Sequence, residues 1–262
     1  MTGRMAVAQV SGVALRWRGP LLLAGLMAVV GDLLLRLSGD PLTAHASVLD
    51  VLLIVTPLVG LVLGTTRLHH ARDVIELMLA QPVSRRRVFL NLWSRGAVPL
   101  AVAMAVGVLA PFAWQGSLLR GGATMPLALA GSAAALALVS HSLAMVIALR
   151  IDDRVRALVV ALLAWLAAAV LWDGLVLVCA LLFAQRPVEL PILGLLMLNP
   201  VDLVRVILLL GSDAAAMMGY TGAVATRSLG TTAGRLALGG VLVAWLVVPM
   251  WWAARTFGRK DF

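Results

Sequence analysis

The chain has 262 residues, of which 62% are hydrophobic and 13% charged, and its mean hydropathy is +1.02. A soluble domain needs far more polar surface to cover its core, so a water-soluble globule is excluded and an all-α integral membrane protein is implied. The formal charge of +9, from 21 basic and 12 acidic residues, reads on so apolar a chain as topology and contact with anionic lipid, not as binding of nucleic acid.

Residues 4–18 place Met5, Val10, Val13 and Trp17 at helical spacing, with Arg4, Gln9, Arg16 and Arg18 around the rest. This is the pattern of an amphipathic helix lying in the membrane interface, or else of a basic tail without structure. No small-residue cleavage site follows, so no signal peptide is expected. Six apolar runs come next, at 20–37, 48–66, 96–116, 126–149, 157–183 and 236–254. Each is near the ~20 residues that cross ~30 Å of hydrocarbon as a helix. None alternates with period two, and backbone groups in lipid must be satisfied within each segment, so barrel strands are excluded. Pro57, Pro99 and Pro111 mark kinks in these spans.

An even number of spans puts both termini on one side. The N-terminus, the 67–95 loop, the 150–156 loop and the C-terminus together hold 15 of the 21 basic residues. That side is the cytoplasm by the positive-inside rule. Arg36, Arg120, Arg186, Arg205, Arg227 and Arg235 fall on the other.

The 67–95 loop is the longest polar interruption, and it holds Arg67, Arg72, Arg85, Arg86, Arg87 and Arg95. Its middle predicts an amphipathic helix, with Val74, Leu77, Met78 and the Leu79/Val83 edge on one face. Arg72, Asp73, Glu76 and Gln81 take the other face. Pro82 stops or bends the helix. Such a helix is either a handle that something outside the membrane pushes, or a basic loop that only fixes orientation. In the next loop on this side, Asp152 and Asp153 sit among Arg150, Arg154 and Arg156 and read as a solvated charge cluster.

Within the spans, His141 lies between Ser140 and Ser142 and reads as an interhelical hydrogen-bonding group or a proton relay. His69 and His70 are adjacent, so they do not form an i,i+4 metal pair. Asp173 in the fifth run is either a functional group facing the bundle interior, or a group near the outer end paired with Arg36 or a loop arginine. The one cysteine, Cys179, excludes an intrachain disulfide and a cysteine metal site.

The stretch 184–235 lies outside by this topology. Its apolar part at 190–198 is too short to cross, so it re-enters or lies flat. Asn199, Pro200 and Asp202 form a helix start over 201–210, with Asn199 as the cap, Pro200 at the first position and Asp202 near the positive helix end. Asp202 and Arg205, three apart, share a face. Residues 212–234 are rich in small residues, as loops and close helix contacts are. Met197, Met217 and Met218 fit packing better than a Cu(I) site, so no metal ligand set is assigned.

The only lysine, Lys260, is followed by Asp261 and Phe262, so no G-x-x-x-x-G-K-[ST] phosphate loop exists in this sequence. Any ATP and magnesium would be bound by another subunit. Six spans, a basic amphipathic helix after the second, an interfacial N-terminal helix and a re-entrant-like segment before the sixth resemble the ABC-2 type permeases of ABC exporters. The string 77–85, LMLAQPVSR, is similar to their coupling segment. The string 196–205, LMLNPVDLVR, together with Asp173 and the basic C-terminus, resembles the NosY-type permease subunits of nitrous-oxide reductase maturation transporters. Where many ABC-2 permeases carry an acidic cluster and Gly-Thr, this chain has 72–76, RDVIE.

The resemblance implies a homodimer in the bacterial inner membrane, with both termini cytoplasmic, two cytoplasmic ABC ATPase subunits and a periplasmic accessory protein. Arg72, Asp73, Glu76, Gln81, Pro82 and Arg85 would meet the ATPase, and Asn199, Pro200, Asp202 and Arg205 the outer partner or gate. It further implies a role in maturing the copper sites of nitrous-oxide reductase, with no catalytic residue in this chain. Two alternatives stay open: an ABC-2 exporter of a drug, lipid or glycan, and an intramembrane enzyme acting on lipid through His141 and Asp173.

Overall fold

The computed structural model describes residues 2–116, 118, 122–182, 189–210 and 231–260. These residues are helical, with no strand among them. In chain order the helices are α1 (Thr2–Leu37), α2 (Pro41–His70), α3 (Arg72–Leu79), α4 (Arg85–Trp114), α5 (Thr124–Arg150) and α6 (Arg154–Leu166). A π-helical turn, Ala167–Leu171, leads into α7 (Trp172–Leu182), and α8 (Glu189–Leu198), α9 (Pro200–Leu210) and α10 (Thr232–Arg259) follow. Six stretches are long and apolar enough to span a membrane: α1 from Arg18, α2, α4, α5, α6 through Cys179, and α10.

Local chemistry starts several of these helices. Asp40 caps α2 by accepting from the Thr43 N–H at 3.3 Å, with Pro41 at the first helical position. Asp153 caps α6 through the Arg156 N–H at 2.7 Å, and Thr231 caps α10 through the Gly234 N–H at 3.1 Å. One expected boundary is absent. The interfacial helix over 4–18 and the first span are a single helix, α1, of 36 residues with Pro20 inside it. Proline removes one backbone bond, but in or near lipid the chain has no water to turn to, so the helix continues. The amphipathic face read from Met5, Val10, Val13 and Trp17 lies outside the described side chains. So do Met217, Met218 and most of the small-residue stretch 212–234.

α2, α4 and α5 form the centre. The apolar windows of α4 and α5 are 61% and 67% buried, against 11% for the fifth span and 17% for α10, so the last two spans present most of their surface outward. The centre is tight because small residues let backbones approach. A Cβ on Gly60 would lie 2.6 Å from the Ser140 Cβ, and one on Gly64 would lie 2.5 Å from the Ala144 Cβ. Gly60 and Gly64 are one turn apart on α2, as Ser140 and Ala144 are on α5, which is a small-xxx-small contact. Gly107 of α4 meets α1 likewise, its Cβ position falling 2.8 Å from the Ala24 carbonyl oxygen.

Gly64→Leu should therefore destabilise the bundle by about 1–3 kcal/mol, the usual cost of overpacking. Gly131→Ala, where no atom lies within 4 Å, should leave stability unchanged or raised. Thermal unfolding of the purified chain in detergent compares the two, and equal melting temperatures would remove the close contact as a determinant.

Candidate functional site

At the arginine-rich end, the short helix α3 is set on the bundle by one side chain. Ile75 is fully buried among Leu68, Val88, Phe89, Met145, Leu149 and Phe257, which come from α2, α4, α5 and α10. Burying an isoleucine is worth about 1.5–3 kcal/mol. This corrects the expected face. Val74 and Leu77 do not turn inward; they are 58% and 71% exposed, and only Met78 and Leu79 pack partly against the cluster. An eight-residue helix has room for about two turns, and the deep pocket beneath it selects Ile75, which periodicity alone did not single out. The outward surface therefore carries Val74 and Leu77 between the exposed Asp73 and Glu76, with Gln81 and Pro82 exposed beyond them. α3 ends at Leu79, and the Val83 N–H donates to the Gln81 carbonyl at 2.7 Å in a tight turn about Pro82.

Both flanking arginines are spent inside the chain. Arg72 donates to Asp152 at 3.1 Å and to the carbonyls of Ala148 and Ile151 at 3.4 and 3.3 Å. Arg85 donates to the Lys260 carbonyl at 2.8 Å. Lys260 in turn donates to Asp152 at 2.6 Å and to the Leu149 carbonyl at 2.7 Å. His69 Nε2 lies 3.1 Å from the Ile151 carbonyl oxygen. The acidic pair is solvent-exposed, as expected, and it also has defined partners: Asp153 caps α6, and Asp152 joins α3 to the end of α10. Lys260, then Arg72, hold the Asp152 carboxyl below the usual carboxylate range. The contribution of this clamp is present above that range and is lost only as the pH falls through the lowered value. The capping position of Asp153 ahead of an apolar run could have been found from sequence; the partners of Asp152 could not.

At the other end, α8 and α9 join at Asn199 and are stitched to the fifth span and α10. The Asn199 Oδ1 accepts from the Val201 N–H at 3.1 Å, and its Nδ2 donates to Asp202 at 3.0 Å and to the Ala168 carbonyl at 2.7 Å. Ala168 belongs to the π-helical turn, whose wider coil changes the spacing of its carbonyls. Trp172 Nε1 donates to the Leu195 carbonyl and Trp245 Nε1 to the Met197 carbonyl, both at 3.1 Å. Arg205 lies between two carboxylates, donating to Asp173 at 2.8 Å and to Asp202 at 3.0 Å. Asp173 therefore pairs with Arg205 and not with Arg36, which bonds Asp32 at 2.7 Å on its own helix. Asp202 is 1% exposed. Burial first, and then the Asp173 charge, push its carboxyl up to about 7, against the opposing pull of Arg205 and Asn199.

His141 is buried between Gly64 and Gly96, and its Nδ1 has no hydrogen-bond partner. The interhelical bond of this region is made by its neighbour: Trp93 Nε1 donates to the Ser142 hydroxyl at 2.9 Å. His141 and Asp173 do not share a site, since they belong to the two different arrangements described. No cluster of three or more His, Cys, Asp or Glu able to hold a metal occurs among the described residues.

Two outcomes follow. Asp152→Ala should speed backbone hydrogen exchange over residues 72–79 severalfold, and unchanged exchange would show that Ile75 alone holds α3. Arg205→Met should cost about 1–3 kcal/mol by leaving the Asp202 and Asp173 carboxyls without their shared donor, whereas Asp202→Asn should be tolerated. The sign of the pH dependence is set by the raised carboxyl: its stabilising contribution is complete below the unfolded value of 3.8 and is lost as pH rises through about 7. Melting temperature should fall across that window in the parent chain and be flatter in Asp202→Asn.

No protein-family model matches this chain, and no curated protein matches it.

Proposed function

We propose that this chain is the membrane subunit of an ABC-2 type transporter, working with separate cytoplasmic ATPase subunits. The observation that carries the reading is the outward face of α3. It presents two apolar side chains flanked by acids, on a helix anchored by Ile75 and clamped through Asp152. An apolar centre with a polar rim on a rigid mount is what a docking surface requires. A loop serving only to orient the chain would have no need to expose Leu77. In this reading Asp73, Glu76, Leu77, Gln81 and Pro82 meet the ATPase. Arg72 and Arg85 hold α3 in place instead of making the contact.

Movement of α3 would pass to α2, α4, α5 and α10 through the shared cluster about Ile75. The outwardly exposed fifth span and α10 are the surfaces available to lipid or to a second copy, and the homodimer belongs to the same reading. α8, α9 and the Arg205 pairs form the opposite end, where an outer partner or gate would act. The LMLNPVDLVR string over 196–205 favours the nitrous-oxide reductase maturation role over export of a drug, lipid or glycan. The termini then lie in the cytoplasm, and the membrane is the bacterial inner membrane.

Leu77→Glu tests the reading. The variant should insert normally but lose about tenfold or more in recovery of a Walker-type ATPase during affinity purification from native membranes, with the associated ATP hydrolysis lost in parallel, because one central apolar contact commonly carries that much. Equal recovery and hydrolysis would remove α3 as the coupling element. Absence of any ATPase from the parent preparation would remove the transporter reading itself.

A further inference from the structure

A cavity of about 470 Å³ opens between the last turn of α5 and the end of α10. Its walls include Leu149, Arg150, Trp251, Trp252, Arg255 and Arg259. We propose that this cavity binds the headgroup of an anionic phospholipid, whose acyl chains run along the adjoining face of α10. The proposal rests on the membrane reading and not on the transporter reading.

Charge is the first observation. Arg150 lies over the Trp252 ring and Arg255 over the Trp251 ring, each with its guanidinium carbon 4.3 Å from the ring centre. A ring face attracts a cation and fixes where it stands, but it does not cancel the charge as a carboxylate would. No carboxylate is among the described residues that line the cavity, and neither arginine makes an ion pair with a described residue. Lys260 also lines the cavity, but Asp152 already holds it at 2.6 Å, so the charge of the site rests on the arginines. Guanidinium groups gathered about one space favour an oxyanion shared between them.

Position selects the kind of anion. Arg150 follows the apolar run 126–149 and Arg255 follows the run 236–254, so both stand at the edge of the hydrocarbon, where phospholipid phosphates lie. Trp251 and Trp252 are 54% and 43% exposed, and tryptophan favours headgroup level, where its ring meets apolar chains and its N–H meets water. One turn further into the span, Val247 and Val248 are exposed as well, each four residues before one of these tryptophans. One face of α10 thus presents valine, then tryptophan, then arginine. A soluble anion would use the arginines alone. A phospholipid uses the whole face, with its chains on the valines and rings and its phosphate at the guanidinium groups. A zwitterionic headgroup would bring its own cation among the arginines, and the rings that could receive a choline are already taken, so the anionic headgroup fits better.

The test uses the full chain, stripped of lipid in detergent, with bound lipid counted by native mass spectrometry. Phosphatidylglycerol should be retained in preference to phosphatidylcholine. Arg150→Gln and Arg255→Gln should each weaken that retention about fivefold, the usual worth of one basic side chain at an anionic surface. Arg255→Lys should recover part of the affinity, and Arg86→Gln, exposed at the start of α4 and outside the cavity, should change nothing. Inorganic phosphate in excess should not displace the lipid; displacement would make a free anion the occupant and overturn the lipid assignment. Equal retention of the two lipids overturns the proposal, as does retention indifferent to both Gln variants or weakened equally by Arg86→Gln. Arg150 and Arg255 are both exposed, so either Gln variant decides the outcome if the other disturbs folding, which the melting temperature of the lipid-free chain reports.

Discussion

The close approach of α2, α4 and α5 is the constraint on which the remaining structure depends. Hydrocarbon tails solvate apolar side chains as well as other helices do, so burying leucine against leucine gives little drive to associate in a membrane. Dense van der Waals contact does, and it requires backbones that can come near. Gly60 and Gly64 receive Ser140 and Ala144, and Gly96 receives the His141 ring. That packing fixes where α2 and α4 end, and hence where α3 can sit between them.

A second pattern runs through both ends of the bundle. At several interruptions of the helical ladder, a side-chain donor reaches a carbonyl left free. Asn199 takes Ala168 in the π-helical turn, Trp172 takes Leu195 and Trp245 takes Met197 near the α8–α9 junction. Lys260 and Arg72 take the last carbonyls of α5 at the other end. Irregular backbone at membrane depth survives only when its polar groups are satisfied within the protein. These residues therefore combine two tasks: they meet the backbone's demand, and they bind separate elements into one body. The charged groups follow the same economy, with Arg205 serving two carboxylates and Asp152 serving two cations.

The two ends differ in what they leave exposed. Around the α8–α9 junction Asp202 is buried and Arg205 largely covered, while Asp173 keeps nearly half of its side chain exposed. α3 does the reverse: its buried side holds one isoleucine, while apolar and acidic side chains stand outward. Beside it Arg72 and Arg85 are bound within the chain, while Arg86 and Arg87 stand exposed at the start of α4.

Hydropathy and run length by themselves determined that the chain is helical, that it crosses the membrane and where its six spans lie, because a lipid environment leaves few ways to satisfy a backbone. Capping chemistry was equally legible at Asn199–Pro200, since it depends on neighbours in sequence. The inward face of α3 was not, because with only two turns the choice among Val74, Ile75 and Leu77 belongs to the pocket below. The contact of Gly60 and Gly64 with Ser140 and Ala144 was not legible either, because nothing local names the partner helix. The pairing of Asp173 with Arg205, the joining of Asp152 to Arg72 and Lys260, and the placing of Arg150 over Trp252 were decided by tertiary structure alone. Each links residues far apart in the chain, and local periodicity carries no information about which distant helix will lie opposite.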